Sequence, residues 1–104
     1  MKRGARLTAL RDYELVIVLS PEVTEDGVVG VVDRVNQFIS QRGGTVSNQE
    51  RLGVKTLAYP IKKYREGNYV LTQFAFDPNS TKELVASLRL WTELLRYLLV
   101  KKET

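Results

Sequence analysis

Between Pro60 and Gly67 the chain reads Ile-Lys-Lys-Tyr-Arg-Glu, so that three cations, Lys62, Lys63 and Arg65, surround one aromatic ring, Tyr64. Ammonium and guanidinium groups attract phosphates whatever the base sequence, and a ring among them offers a stacking surface. The chemistry of such a cluster is recognition of a polyanion, although a solvated loop carries the same residue types. Further bases lie at the start of the chain through Arg11 and at its end, in Arg96, Lys101 and Lys102. Sixteen bases against twelve acids give a net charge of +4, which favours a polyanionic partner if the bases cluster in space.

Catalytic chemistry has little to work with. The chain has no cysteine and no histidine, which removes disulfides, thiolate and imidazole metal sites, and Cys or Ser-His nucleophiles together. Glu14, Glu50 and Glu93 have no spacing that pairs them, and solvated faces are their ordinary role. Gly27, Gly30 and Gly43-Gly44 do not follow a strand at the spacing of a phosphate-binding loop. No enzyme, cofactor, metal or small-molecule substrate is expected. No apolar run reaches the roughly 18 residues of a membrane span, and the start lacks the apolar core of a secretory signal, so a soluble protein is expected.

The elements that must position the basic residues follow from periodicity. Tyr13 to Leu19 is rich in β-branched residues and ends at Ser20-Pro21, which predicts a strand. Tyr13, Leu15, Ile17 and Leu19 share one face; Val16 and Val18 make the other face apolar as well. Val28, Val31, Val32, Val35, Phe38 and Ile39 recur at helical spacing, predicting an amphipathic helix from about 22 to 42 that stops at Gly43-Gly44. Thr45 to Tyr59 predicts a long strand with a bulge at Gly53, and Tyr69 to Phe76 a second. The two form a hairpin whose tip is expected from about 60 to 68, closed by Pro60 and Glu66-Gly67-Asn68.

Ser80-Thr81-Lys82-Glu83 has the pattern of a capping box and starts a second helix with Leu84, Val85 and Leu88 on its buried side. The far end is open to two readings: Leu84, Leu88, Trp91, Leu95 and Leu98 prolong the helical period, while Tyr97 to Val100 also suits a short strand. With a final strand, the order is strand, helix, hairpin, helix, strand. That is an α+β, ferredoxin-like split βαβ arrangement (βαββαβ), a four-stranded antiparallel sheet with two helices on one face.

Other users of that fold fit poorly. An acylphosphatase needs an arginine-bearing phosphate loop after its first strand, where this chain has Ser20-Pro21-Glu22. An RNA recognition motif stacks bases on aromatic residues of its third strand, but here Val70, Thr72, Phe74 and Phe76 face one way and Tyr69 and Leu71 the other. If the first set packs on the helices, the open face shows one aromatic ring and suits an apolar protein partner.

Arg11-x-Tyr13-Glu14, Val18-Leu19-Ser20-Pro21, Leu52-Gly53, Leu57-Ala58-Tyr59-Pro60-Ile61, Gly67 to Leu71, Leu88-Arg89 and Leu98 to Lys101 together give the chain a specific likeness. It resembles the bacterial-type small-subunit ribosomal protein six family over about residues 10 to 101. The resemblance implies a ferredoxin-like domain over 10–102, preceded by a basic extension over 1–9 and followed by a short tail, 103–104. It places the second helix's end near Arg89 and the fourth strand at about 95 to 102. It also implies a non-enzymatic constituent of the small ribosomal subunit, cytoplasmic and ribosome-associated, whose partners are small-subunit rRNA of the central domain and small-subunit ribosomal protein eighteen. Arg11, Lys62, Lys63, Arg65 and Arg96 are the expected rRNA contacts, and Val16, Val18, Tyr69 and Leu71 the expected protein-partner face. A free-standing single-stranded RNA-binding module and an ACT-like regulatory domain are the alternatives on the same fold.

Overall fold

The structure, a computed structural model, describes residues 9–102. The expected basic extension, apart from Ala9, and the tail at 103–104 lie outside the described residues. The elements run β1 (Arg11–Leu19), α1 (Glu25–Gln41), β2 (Thr45–Ile61), β3 (Tyr64–Phe76), a short 3-10 turn (Pro78–Ser80), α2 (Thr81–Leu90) and β4 (Leu94–Lys101). The sheet order is β2-β3-β1-β4 with every neighbouring pair antiparallel, the ferredoxin-like split βαβ topology.

The alternation in β1 sends Tyr13, Leu15, Ile17 and Leu19 to the helical layer, where all four are buried. They meet Val28, Val31, Val35 and Ile39 of α1, Leu84 and Leu88 of α2, and Val70, Phe74 and Phe76 of β3 in one core. Each such side chain contributes about 1.5 to 3 kcal/mol of transfer free energy, which outweighs the low helix propensity of the valines in α1.

Helix α1 starts three residues later than the acids and Pro21 suggest. The Thr24 side chain accepts a hydrogen bond from the Gly27 amide at 3.2 Å, while Ser20 to Val23 forms a turn closed by Val23 N–H on the Ser20 carbonyl. At its other end Gly43 adopts φ +80°, and the amides of Gly43 and Gly44 reach the carbonyls of Ser40 and Ile39, a Schellman stop. Helix α2 starts differently from the expected capping box. Ser80 makes no side-chain cap bond, and Glu83 is engaged by Arg42, the residue that follows α1, at 2.8 Å. Asp77 instead accepts from the Asn79 amide, and the 3-10 turn leads into the helix.

The hairpin is longer and its turn tighter than expected. Gly53 has φ +87° at a register shift, as a bulge requires, but β2 continues through Pro60 to Ile61 and β3 begins at Tyr64. Gly67 and Asn68 therefore lie within a strand, paired with Lys55 and Val54. Between the pairs Thr56↔Glu66 and Ile61↔Tyr64, four residues of β2 (Leu57 to Pro60) oppose only Arg65. This wide bulge absorbs Pro60, whose missing amide donor would otherwise break the ladder. The turn itself is Lys62-Lys63, at φ 50° and 71°, the left-handed pair of a two-residue hairpin.

Candidate functional site

The turn residues are held by local backbone geometry. Left-handed φ at two successive lysines turns the chain within two residues, leaving both side chains exposed. Tyr64 does not stand free beside them: its hydroxyl donates to Glu22 Oε1 at 2.8 Å, tethering the tip to the turn after β1. The Lys63 ammonium lies 5.9 Å from the Tyr64 ring centroid. Lys63 and Arg65 line one shallow depression with Pro21 and Thr56. Lys62 lines another, with the turn from α2 to β4.

That second depression, about 410 Å³ in volume, joins Lys62 to Arg89, Trp91, Arg96 and Tyr97. The Arg89 Nε donates to the Tyr97 hydroxyl at 3.1 Å, which fixes the guanidinium and raises its already high pKa further. Trp91 is fixed by Arg34 of α1, whose guanidinium lies 4.8 Å from the ring centroid and donates to Glu93 Oε2 at 2.7 Å. The Glu93 carboxyl lies below its usual range, first through its own backbone amide and then through Arg34. Among the described residues, Lys62, Lys63, Arg65 and Arg96 enter no ion pair.

The five basic residues singled out in the sequence do not form one patch. Lys62 and Arg96 share a depression, and Lys63 and Arg65 adjoin it through the turn. Arg11 sits at the other end of β1, beside the end of β4, where Tyr13 pairs with Lys101 and the Lys102 amide donates to the Asp12 carbonyl. Eight strand steps at about 3.3 Å put it roughly 26 Å from Leu19. Arg89 joins the tip although the sequence marks it only as the end of a helix. Nothing in its local sequence reveals that the α2–β4 turn brings it to Lys62.

The sheet face away from the helices carries a second surface. Val16 pairs with Leu71 on one side and Leu98 on the other, an apolar row across three strands. Val16 and Leu71 are half-buried and Leu98 is 57% exposed; Val100 and Leu52 are exposed too. Alongside runs a polar row in which Gln73 donates to Glu14 and Asn48 donates to Gln73. Of the expected partner face, Tyr69 is half-buried and Val18 departs from expectation: it is only 3% exposed and cannot present a contact surface. Leu57 and Gly67 pack against it, and the Tyr59 hydroxyl accepts from Arg96 Nη1 at 3.2 Å across the same end of the sheet. Leu98 and Val100 were not singled out for this face in the sequence, because the periodicity of the last segment leans helical and does not show which residues face outward.

Among the described residues no three acidic, histidine or cysteine groups converge on a possible metal site. No helix there is long and apolar enough to cross a membrane.

Residues 12–101 match the family model described as Ribosomal protein S6. The chain is 36% identical over 94 residues to the small ribosomal subunit protein bS6 of Moorella thermoacetica, covering 90% of this chain and 96% of that one. It is 38% identical to the protein of the same name from Caldanaerobacter subterraneus subsp. tengcongensis, covering 90% and 99%. The crystal structure of 30S ribosomal protein S6 from Thermotoga maritima superposes with a TM-score of 0.85 at 32% identity, over 89% of this chain and 88% of that one.

Proposed function

The chain belongs to the ribosomal protein S6 family of the small subunit, and from that premise we propose that it binds small-subunit rRNA in the central domain jointly with small-subunit ribosomal protein eighteen. Its role is structural rather than catalytic, in support of translation, on ribosomes of the cytoplasm, with no cofactor or small-molecule substrate. The observation that carries this reading is the separation of two surfaces. The hairpin tip and the β4 edge offer Lys62, Lys63, Arg65 and Arg96 free of ion pairs among the described residues, whereas the open sheet face offers the apolar row Val16, Leu71 and Leu98.

Cations on a tight turn contact phosphates and position the protein without reading bases, so specificity comes from RNA shape and from joint docking. Arg11, at the far end of β1, makes a separate phosphate contact. The apolar row, with Tyr69 at its border, docks protein eighteen; Val18 supports that face from within. A polar row beside an apolar one fixes the register of a partner, because a shifted partner would lay apolar surface over the Glu14 carboxylate and desolvate it.

The test is binding of the full chain to an rRNA central-domain fragment, measured by filter retention with and without protein eighteen. Tighter binding in the presence of protein eighteen, together with co-sedimentation with small subunits in sucrose gradients, supports the proposal. Equal affinity with and without protein eighteen would remove the joint-docking part, and failure to co-sediment would remove the assignment to the subunit.

A further inference from the structure

We infer that the depression between the hairpin tip and the α2–β4 turn receives one unpaired nucleotide of the bound RNA, its base on the apolar floor and its phosphate among Lys62, Arg89 and Arg96. This rests on the RNA-binding reading above and adds an occupant to it. The floor is apolar, with Leu88 and Leu94 both buried, and the walls are the rings of Trp91 and Tyr97. The rim is cationic, and among the described residues no carboxylate lines the depression. Glu93, the acid of the adjacent turn, is engaged with Arg34.

Shape and chemistry together select the occupant. A volume of about 410 Å³ is in the range of sites that take a single small molecular unit. A paired RNA helix presents phosphates and 2′-hydroxyls outward while its bases stay stacked, so it could satisfy the cations but leave the floor empty. An unpaired nucleotide satisfies both. The receiving groups are also held before binding: Tyr97 orients Arg89, Tyr59 engages Arg96, and Arg34 holds Trp91. Preorganisation of this kind lowers the entropic cost of capture.

Trp91 is the single tryptophan of the chain and reports on the depression directly. The full chain is titrated with a paired RNA duplex and with the same duplex carrying one bulged nucleotide, following tryptophan emission and affinity. The expected result is binding to the bulged RNA on the order of tenfold tighter, accompanied by quenching of Trp91 that the paired duplex does not produce. Arg89→Gln, at an exposed position that leaves the fold intact, should bring the preference for the bulge towards unity. Equal affinities with silent Trp91 emission overturn the inference. If Lys63→Gln weakens both RNAs while Trp91 stays silent, RNA binding at the tip stands and the nucleotide site falls; if neither RNA binds, both fall.

Discussion

Arg96 on the edge strand β4 donates to the hydroxyl of Tyr59 in β2 at 3.2 Å, although β3 and β1 lie between their strands in the sheet. The wide bulge from Leu57 to Pro60 makes this possible by letting β2 depart from its ladder and lean over the sheet's open face. Val18 lies between the two, paired with Tyr69 and Arg96, and is covered as a result. An apolar face that looks uniform in the sequence is thereby divided into a covered end at Val18 and an open row at Val16.

The close packing at the covered end makes Gly67 intolerant of a side chain. A Cβ there would lie 2.2 Å from Val18 Cγ1, and Val18 is β-branched with little rotamer freedom. Gly67→Ala should cost about 1 to 3 kcal/mol, a fall in Tm of roughly 4 to 8 °C per kcal/mol for a domain of this size. Combining it with Val18→Ala should recover part of the loss in a double-mutant cycle of thermal unfolding. Strict additivity of the two changes would show that the clash is relieved elsewhere.

Lys63 is exposed and unpaired among the described residues, so its neutralisation should act on RNA alone. Lys63→Gln should leave stability within about 0.5 kcal/mol of the parent and lower the slope of log affinity against log salt by about 0.7 to 0.9, the value of one released counterion. Filter binding over a salt series measures it. An unchanged slope would remove Lys63 from the phosphate contacts.

The two ends of the open face should respond differently to a carboxylate. Leu98→Asp places it at a position already 57% exposed, and should weaken protein eighteen binding about tenfold with a stability change within about 0.5 kcal/mol. Val18→Asp buries an unpaired charge and should destabilise the fold by about 3 kcal/mol or more. Calorimetry of binding and urea unfolding of both variants separate the effects. Full partner affinity in Leu98→Asp would move the partner to another surface.

Glu93, bonded to its own backbone amide and then to Arg34, gives the α2–β4 turn a pH dependence. The Glu93 carboxyl is held below its usual range, so it stabilises the fold above its unfolded pKa of about 4.3 and loses that contribution as pH falls through its lower folded value. Both side chains are a third or more exposed, which limits the effect to about 1 kcal/mol. Glu93→Gln should therefore be less stable than the parent at neutral pH, with the gap in Tm closing below about pH 4. A gap that persists at low pH would assign the effect to packing.

Amino-acid order alone determined the alternation that sends Leu15, Ile17, Phe74 and Phe76 into the core, the helical stripe of α1 with its Gly43 stop, and the bulge at Gly53. Each rests on local periodicity or on a backbone conformation that one residue type favours. The basic residues of the tip and the apolar face of β1 were legible for the same reason. Periodicity could not decide the last segment, which only the family resemblance placed as a strand; the tertiary structure shows why it is β4, because Tyr97 and Leu99 pack on the core when paired with β1, a contact more than seventy residues distant in sequence. It also decided that Val18 is covered, that Arg11 stands apart from the other bases, and that Arg89 and Trp91 meet Lys62. Those facts depend on which strands and turns become neighbours, and that is set by the burial of the whole core rather than by any local pattern.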